Sequence, residues 1–295
     1  MVSNDKSFWE QIDAILVINL PHRSDRWTQL LAKLESIGVA HKAVRIDAID
    51  GKKLSGYEQK PWFRKRTPDP VARMKAGSAG CCLSHRKAIK LAKERGYKKI
   101  LLMEDDADFK DPLKDEMGDF LGRFIQDESR WDMLYLGFYM KKCPYAMEAT
   151  AMIQQNQYNI WRIRGPLMFH ATVINSRIFD HLLEGLPREN NIWPWMTYWG
   201  SIDSWITNSF GRNPKIKIAG CRPNLVVQKA NYSDICGRVL SIEESEGTHK
   251  PTELIPLKLG DLKKAIRLSF LEKIHQTIKR SCRVLKAYLF GYSKT

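Results

Sequence analysis

Long apolar runs are missing from this 295-residue chain. The strongest, over 14–20 and 100–103, are far shorter than the roughly 20 consecutive apolar residues that a bilayer-spanning helix takes, which excludes one. The opening MVSNDKSFWEQ lacks the basic patch, the apolar run of about 7–15 residues and the small-residue cleavage site of a secretory signal, so export by that route is not expected. Cysteine is scarce: Cys81, Cys82, Cys143, Cys221, Cys236 and Cys282 are all there is, with no Cys-x-x-Cys pair. That excludes a disulfide-built scaffold and reads as reduced thiols in a cytoplasm-like compartment. Acidic residues are outnumbered 48 to 33, giving a net charge of +15, which predicts attraction to a polyanion without choosing among nucleic acid, anionic lipid and phosphorylated small molecules. With 43% apolar and 27% charged residues, the chain has the composition of a globular protein of one large domain or two small ones.

What is present alternates. Residues 14–20 form an apolar, β-branched run that suits a strand covered on both faces, and it ends at Pro21. Trp27, Leu30, Leu31, Leu34 and Ile37 then recur at helical spacing between Ser24 and the stop signal Gly38. Residues 44–49 read as a second strand, 80–95 as a helix, 98–104 as a third strand, 115–125 as a helix and 131–137 as a fourth strand. This order predicts an α/β fold with a mostly parallel, helix-covered sheet. Beyond about residue 140 short strands follow at 160–163, 168–174, 215–219 and 225–228, with helices near 176–184 and 201–209. The stretch 60–75 mixes Arg64, Lys65, Arg66, Arg73 and Lys75 with Pro61, Pro68 and Pro70 and predicts a mobile basic loop.

Chemistry is expected where the third strand ends, in Glu104-Asp105-Asp106-Ala-Asp108, because ligands of open parallel sheets bind at the carboxyl ends of strands. Strand alternation would turn Glu104 and Asp106 the same way, able to share one hard cation. Two carboxylates roughly 4 Å apart repel by about 4 kcal/mol at an effective dielectric near 20, a cost that a divalent metal removes. Taken alone, the same residues also fit a solvated acidic turn.

The chain resembles the family 25 glycosyltransferases, which include bacterial lipooligosaccharide galactosyltransferases and the collagen hydroxylysine galactosyltransferases. The motifs that carry the resemblance are Asn19-Leu20 followed by Arg23 and Asp25-Arg26; Asp50-Gly51; Gly77-x-x-Gly80-Cys81-x-x-Ser84-His85; Glu104-Asp105-Asp106; His170-Ala171; and Gln228 with Ser233-Asp234-Ile235. They occur in order from about residue 14 to 236. The resemblance implies a GT-A-like nucleotide-sugar-binding fold, a nucleotide-diphospho-sugar donor (UDP-galactose or UDP-glucose) and an inverting transfer to a hydroxyl of a surface glycolipid such as lipooligosaccharide, or of a related glycan. It implies Mn2+ or Mg2+ held by Glu104, Asp106 and His170, although Asp106-Ala-Asp108 spells a second acidic pair and leaves the choice of carboxylates open. Donor binding is expected of Asn19, Arg23, Arg26, Asp50, Gly80, Ser84, His85 and Asp105. Arg23 and Arg26 offer planar donors that suit phosphate oxygens, and backbone donors of a helix start near Gly77 and Gly80 would approach an anion. Asp203 is the candidate general base, since an inverting transfer needs a group that takes the acceptor hydroxyl's proton. Two of Trp193, Trp195, Tyr198, Trp199 and Trp205, which crowd around Asp203 in sequence, are expected to serve the acceptor sugar.

Two other functions compete. A sugar nucleotidyltransferase should carry a glycine-rich phosphate loop after its first strand, and Asn19-Leu-Pro-His-Arg23 has no glycine. A nucleic-acid-binding protein would suit the basic excess, but zinc-finger spacing and aromatic RNA-binding motifs are missing, and no nucleic acid partner is expected. Much of the excess lies in residues 257–295, where ten basic residues face only Asp261 and Glu272. Leu262, Ile266, Phe270, Ile274 and Ile278 recur there every four residues, predicting a basic amphipathic helical tail behind a catalytic domain of residues 1–256. Such a tail either packs on the domain or lies on anionic membrane, and the chain is expected in the cytoplasm, at the inner face of the cell membrane if the tail binds lipid.

Overall fold

The computed structural model describes residues 6–63, 70–110, 112–140, 150–155, 158–210, 213, 215–230, 232–241 and 259–290. The first half runs α1 (Phe8–Gln11), β1 (Ala14–Asn19), α2 (Ser24–Ser36), β2 (Ala43–Asp47), α3 (Pro70–Glu94), β3 (Lys99–Glu104), β4 (Ala107–Phe109), α4 (Asp115–Gln126), β5 (Met133–Tyr135) and β6 (Tyr139–Met140). The second half continues with β7 (Thr150–Gln155), β8 (Tyr158–Arg162), β9 (Pro166–Leu167), β10 (Ala171–Asn175), α5 (Phe179–Gly185), α6 (Ile192–Trp199) and α7 (Ile202–Asn208). It ends with β11 (Ile218–Arg222), β12 (Val226–Gln228), β13 (Tyr232–Ser233), β14 (Arg238–Val239) and α8 (Leu259–Phe290).

Eight strands form one sheet in the order β2-β1-β3-β10-β5-β11-β8-β7. Only β10 and β8 run against the other six, so the α/β architecture with a mostly parallel sheet is as expected. All six residues of β1 are buried. Ala14, Leu16 and Ile18 enter the core that α3, α5, α6 and α7 share, while Ile15 and Val17 enter the core under α1, α2 and α4. The strand therefore reads as an unbroken apolar run because both its faces are covered.

Two expectations change. The basic stretch 60–75 is not a loop throughout: residues 64–69 lie outside the described residues, but Pro70–Lys75 already belong to α3. Proline suits a first helical turn, where its missing N–H would have no intrahelical partner. Gly77 and Gly80 consequently sit inside a 25-residue helix rather than at its start. Their smallness has another use. A Cβ on Gly80 would lie 2.2 Å from the Ile49 carbonyl oxygen and 2.9 Å from the Gly51 nitrogen, so α3 touches the backbone after β2 directly.

The tail helix α8 packs against α6. Arg280 is buried with its guanidinium 4.6 Å from the Trp199 ring centroid and 5.8 Å from that of Tyr198, Ala287 is buried, and Tyr288 meets Trp62 edge-on at 4.7 Å. The side chains of Leu262, Ile266 and Phe270 lie outside the described residues. Among the described residues no helix is long and apolar enough to cross a membrane.

Gly80→Ala should lower stability by about 1–3 kcal/mol through overpacking, read as a lower urea midpoint with an unchanged slope. A parent-like midpoint would show that the chain after β2 is free to withdraw from α3.

Candidate active site

A cavity of about 330 Å3 opens at the carboxyl ends of β1 and β3. Ile18, Leu20, Ala48 and Ile49 form an apolar wall, Ser78, Cys81 and Ser84 come from α3, and Ser201, Ile202 and Asp203 from the start of α7. Ser233, Asp234, Ile235, Cys236 and Leu240 close it from the β13–β14 hairpin and the residues beyond it. Among the described residues five carboxylates, those of Glu104, Asp105, Asp106, Asp203 and Asp234, share the lining with one cation, Arg26.

The cluster after β3 is sorted by its partners. Asp105 faces Arg26, whose Nη1 lies 3.0 Å from its Oδ1, and accepts from Asn19 Nδ2 at 2.7 Å. Asn19 Nδ2 also donates to the Arg23 carbonyl at 2.9 Å, which ties the end of β1 to the chain entering α2. Glu104 and Asp106 share one donor: Gln228 Nε2 lies 3.4 Å from Glu104 Oε2 and 3.4 Å from Asp106 Oδ1. Strand alternation is not what brings these two together, since β3 ends at Glu104 and Asp106 lies in the turn that follows. The antiparallel pairing of β4 with β12 does it, setting Gln228 opposite Ala107, with Lys229 N donating to the Asp106 carbonyl at 2.8 Å. Asp108 is drawn outward to Lys33 Nζ at 2.6 Å and leaves the cluster.

The remaining candidates divide into lining and supporting groups. Arg26 Nη2 donates to the Tyr232 carbonyl and lies 3.7 Å from Asp234 Oδ2, while Arg23 reaches Asp234 at 2.7 Å and Asp25 at 3.1 Å. Both arginines thus meet carboxylates, and they fasten the hairpin over the cavity. Ser84 lines the cavity but spends its hydroxyl on the Gly80 carbonyl at 2.7 Å and on the Ile49 amide at 2.8 Å. Asp50 accepts from Lys52 N at 3.0 Å and, with Gly80, shapes the wall rather than lining it. Because residues 77–85 are mid-helix, no helix N-terminus faces the cavity there, contrary to expectation.

His170 leaves the expected metal set. It is buried, its Nε2 donates to the Val226 carbonyl at 3.2 Å, and its ring abuts Gly137 outside the cavity lining. In its place the structure brings Cys81, His85 and Glu104 together. None of the five aromatic residues near Asp203 lines the cavity. Trp193 packs on Phe63, Trp205 on Phe210, Trp195 donates to the Gly185 carbonyl, and Tyr198 and Trp199 receive Arg280. Tyr139 and Met168, which no sequence signal singled out, do line it. Met168 adopts a left-handed backbone (φ 74°), which costs on the order of 1–3 kcal/mol in a residue other than glycine and is the sort of strain that functional sites retain.

Burial and mutual repulsion push this cluster toward its neutral forms. Glu104 is held well above the usual carboxylate range by burial, then by Asp106 and Asp203. Asp106 is raised to about 6 by burial and Asp105, against the pull of Arg26 and Gln228. Asp203 is raised to about 6 by burial, while hydrogen bonds from the Met168 and Phe169 backbone hold it down. Ser201, not Asp203, caps α7 by accepting from Ser204 N at 3.1 Å, so the Asp203 carboxylate is not spent on the helix end. Burial also lowers both histidines, His170 to about 4.

Residues 12–159 match a family model described as "Glycosyltransferase family 25 (LPS biosynthesis protein)". The chain is 28% identical over 159 residues to procollagen galactosyltransferase 2 of Mus musculus, covering 51% of this chain and 25% of that protein. It is 31% identical over 130 residues to procollagen galactosyltransferase 1 of Danio rerio, covering 42% and 21%. It is also 28% identical over 134 residues to inactive glycosyltransferase 25 family member 3 of Homo sapiens, covering 42% and 22%. The chain spans about a quarter of the length of the curated relatives it matches. The family match ends before Asp203 and Gln228, whose placement rests on geometry.

The raised Asp203 carboxyl ties stability to pH. Its folded value of about 6 lies above the ordinary 3.8, so the native state holds the proton more tightly than the unfolded chain does. The stabilisation is complete below about pH 4 and is lost as pH rises through 6, on the order of 2–3 kcal/mol in all. Thermal melts in EDTA should show the parent midpoint falling between pH 4 and 7 more steeply than that of Asp203→Asn; equal slopes would mean that the carboxylate is solvated.

Proposed function

The chain belongs to glycosyltransferase family 25, and from that membership we propose that it is a metal-dependent, inverting hexosyltransferase. Its donor would be UDP-galactose or UDP-glucose and its acceptor a hydroxyl of a surface glycolipid such as lipooligosaccharide, or of a related glycan. Residues 1–256 are assigned as the catalytic unit. The observation that carries this reading is the cavity's charge balance: Glu104 and Asp106 stand half-buried side by side with one neutral amide, Gln228, between them, in a lining that among the described residues holds five carboxylates and one arginine. Such a site repels a diphosphate unless a cation enters first.

The donor set fits a hard divalent ion, because two oxygen ligands kept apart by an amide suit Mn2+ or Mg2+. Bound by Glu104 and Asp106, the ion would supply Lewis-acid neutralisation of the negative charge that develops on the departing nucleoside diphosphate. The chain's own groups do the rest. The apolar wall of Ile18, Leu20, Ala48 and Ile49 offers a face for the uracil ring. Arg23 and Arg26 exchange the Asp234 carboxylate for donor phosphate oxygens, while Asp105 and Asn19 keep Arg26 aimed into the cavity. Asp203, oriented by the Met168 and Phe169 amides, takes the acceptor hydroxyl proton as that oxygen bonds to the anomeric carbon and the bond to the diphosphate breaks. A value of about 6 leaves most Asp203 ionised near neutrality, as a base requires.

Membrane contact belongs to the same proposal. The face of α8 turned away from α6 carries Ile274, Ile278, Leu285 and Leu289 at 45%, 59%, 58% and 64% exposure, with exposed Lys279 and Lys286 along one flank. An apolar stripe beside lysines is complementary to an anionic lipid surface, and it would keep the enzyme at the inner face of the cell membrane beside a lipid-linked acceptor.

Asp203→Asn should lower turnover about 10²–10⁴-fold while uridine diphosphate still binds in the presence of manganese, measured by product formation and calorimetry. Near-parent turnover would remove Asp203 from the chemistry, and a parent protein that neither transfers nor hydrolyses any nucleotide-sugar would place the chain with the inactive members. The double change Ile278→Glu with Leu285→Glu should abolish sedimentation with anionic vesicles and leave the melting temperature in place. Undiminished sedimentation would rule out this face as the lipid contact.

A further inference from the structure

Below the carboxylate pair lies a group of different chemistry. Cys81 and His85 are four residues apart on α3 and therefore on one face, and that face meets the Glu104 side chain at the end of β3. Cys81 Sγ is 3.5 Å from Glu104 Oε1 and 3.5 Å from His85 Nδ1, and His85 Nε2 is 3.7 Å from Glu104 Oε1. Tetrahedral zinc, with bonds of about 2.3 Å to sulfur and about 2.0–2.2 Å to nitrogen and oxygen, sets ligand-to-ligand edges of roughly 3.3–3.7 Å. The two edges to Glu104 Oε1, 3.5 Å from Cys81 Sγ and 3.7 Å from His85 Nε2, stand at those separations, and ligand atoms of all three residues lie within 4.8 Å of one another.

We propose that Cys81, His85 and Glu104 form a second cation site, selective for zinc and other thiophilic divalent metals, which shares Glu104 with the carboxylate pair. The histidine is prepared for it. His85 is fully buried, and its Nδ1 lies 2.9 Å from the Cys81 carbonyl, so an Nδ1–H donor there fixes the ring and leaves the Nε2 lone pair on the Glu104 side. A backbone carbonyl that accepts from the other ring nitrogen is the usual support of a metal-bound imidazole. That Nε2 lies 3.7 Å from Glu104 Oε1 and 3.3 Å from the Phe169 carbonyl oxygen. Access runs through the cavity, which Cys81 and Glu104 both line, and the open side supplies the fourth position for water.

Ligand softness separates the two sites. Mn2+ and Mg2+ prefer the oxygens of Glu104 and Asp106, whereas a thiolate and an imidazole select zinc. Zinc binding releases the Cys81 thiol proton to solvent and changes no oxidation state. Both sites draw on the Glu104 carboxylate, through Oε1 here and Oε2 in the pair, so zinc at this site takes electron density from, and repels, the hard cation and acts as an inhibitor that chelation reverses. The competition rests on the function proposed above; the thiolate site does not.

Cobalt is the spectroscopic probe for the full chain. Co2+ should give a thiolate-to-metal charge-transfer band together with intense visible bands of tetrahedral geometry, and one equivalent of Zn2+ should bleach both. Cys81→Ser should abolish the charge-transfer band and weaken zinc binding at least about tenfold, while Asp106→Asn should lose manganese binding and keep the cobalt band. Labelling covers the case in which Cys81→Ser fails to fold: in the parent, zinc should protect Cys81 from a maleimide and leave the exposed Cys236 and Cys282 reactive. Absence of the band in the parent, its survival in folded Cys81→Ser, or equal labelling of Cys81 with and without zinc would each overturn the proposal. A parent with the cobalt band but no manganese binding would uphold this site and sink the metal-dependent reading of the function.

Discussion

The buried pair of Arg26 and Asp105 is the interaction on which the cavity depends. It joins the first turn of α2 to the tip of β3 with side chains only 8% and 10% exposed, and Asn19 completes it from the end of β1. A buried ion pair contributes little net stability when whole and costs about 3–5 kcal/mol when one partner is lost, so its value here is positional. By occupying Asp105, it separates one carboxylate of three from its neighbours and leaves Glu104 and Asp106 to face each other across Gln228.

Glycine contact supports this from the opposite wall. Gly51 and Gly80 let α3 lie directly on the chain leaving β2, with Ser84 bridging the Gly80 carbonyl and the Ile49 amide. That places Cys81, Ser84 and His85 on one side of Glu104 while Gln228 approaches from the other. Several residues expected to touch a ligand are therefore the frame: Asp50 and Gly80 hold the wall, and His170 hydrogen-bonds to the Val226 carbonyl outside the cavity lining.

What the sequence disclosed follows physical range. β1, α2 and β3 were legible because their apolar periodicity reports burial, and the acidic cluster was legible because it directly follows a buried strand. The start of α3 at Pro70 was obscured by three prolines among basic residues, although proline in a first helical turn costs nothing. Gln228 appeared in a motif but without a role, since its pairing with Glu104 spans 124 residues and depends on the β4–β12 ladder, too short to leave a periodic signal. The aromatic crowd of 193–205 misled because large rings signal packing and sugar binding alike; here they build the core and the seat of α8. His170 misled because an imidazole in a motif does not say whether its nitrogen meets a ligand or, as here, a backbone carbonyl.

The cavity is a seam between two stretches of chain. Residues 18–106 bring the apolar wall, the arginine and the acidic turn, and residues 139–240 bring Asp203, Gln228 and the covering hairpin. Divergence can thus proceed at unequal tempo on the two banks: under the proposed function, inheritance of the earlier stretch would preserve the grip on the donor, while drift in the later stretch would reshape what is admitted opposite it. A descendant that keeps the first bank and loses the second would still look like kin by sequence and yet be catalytically silent.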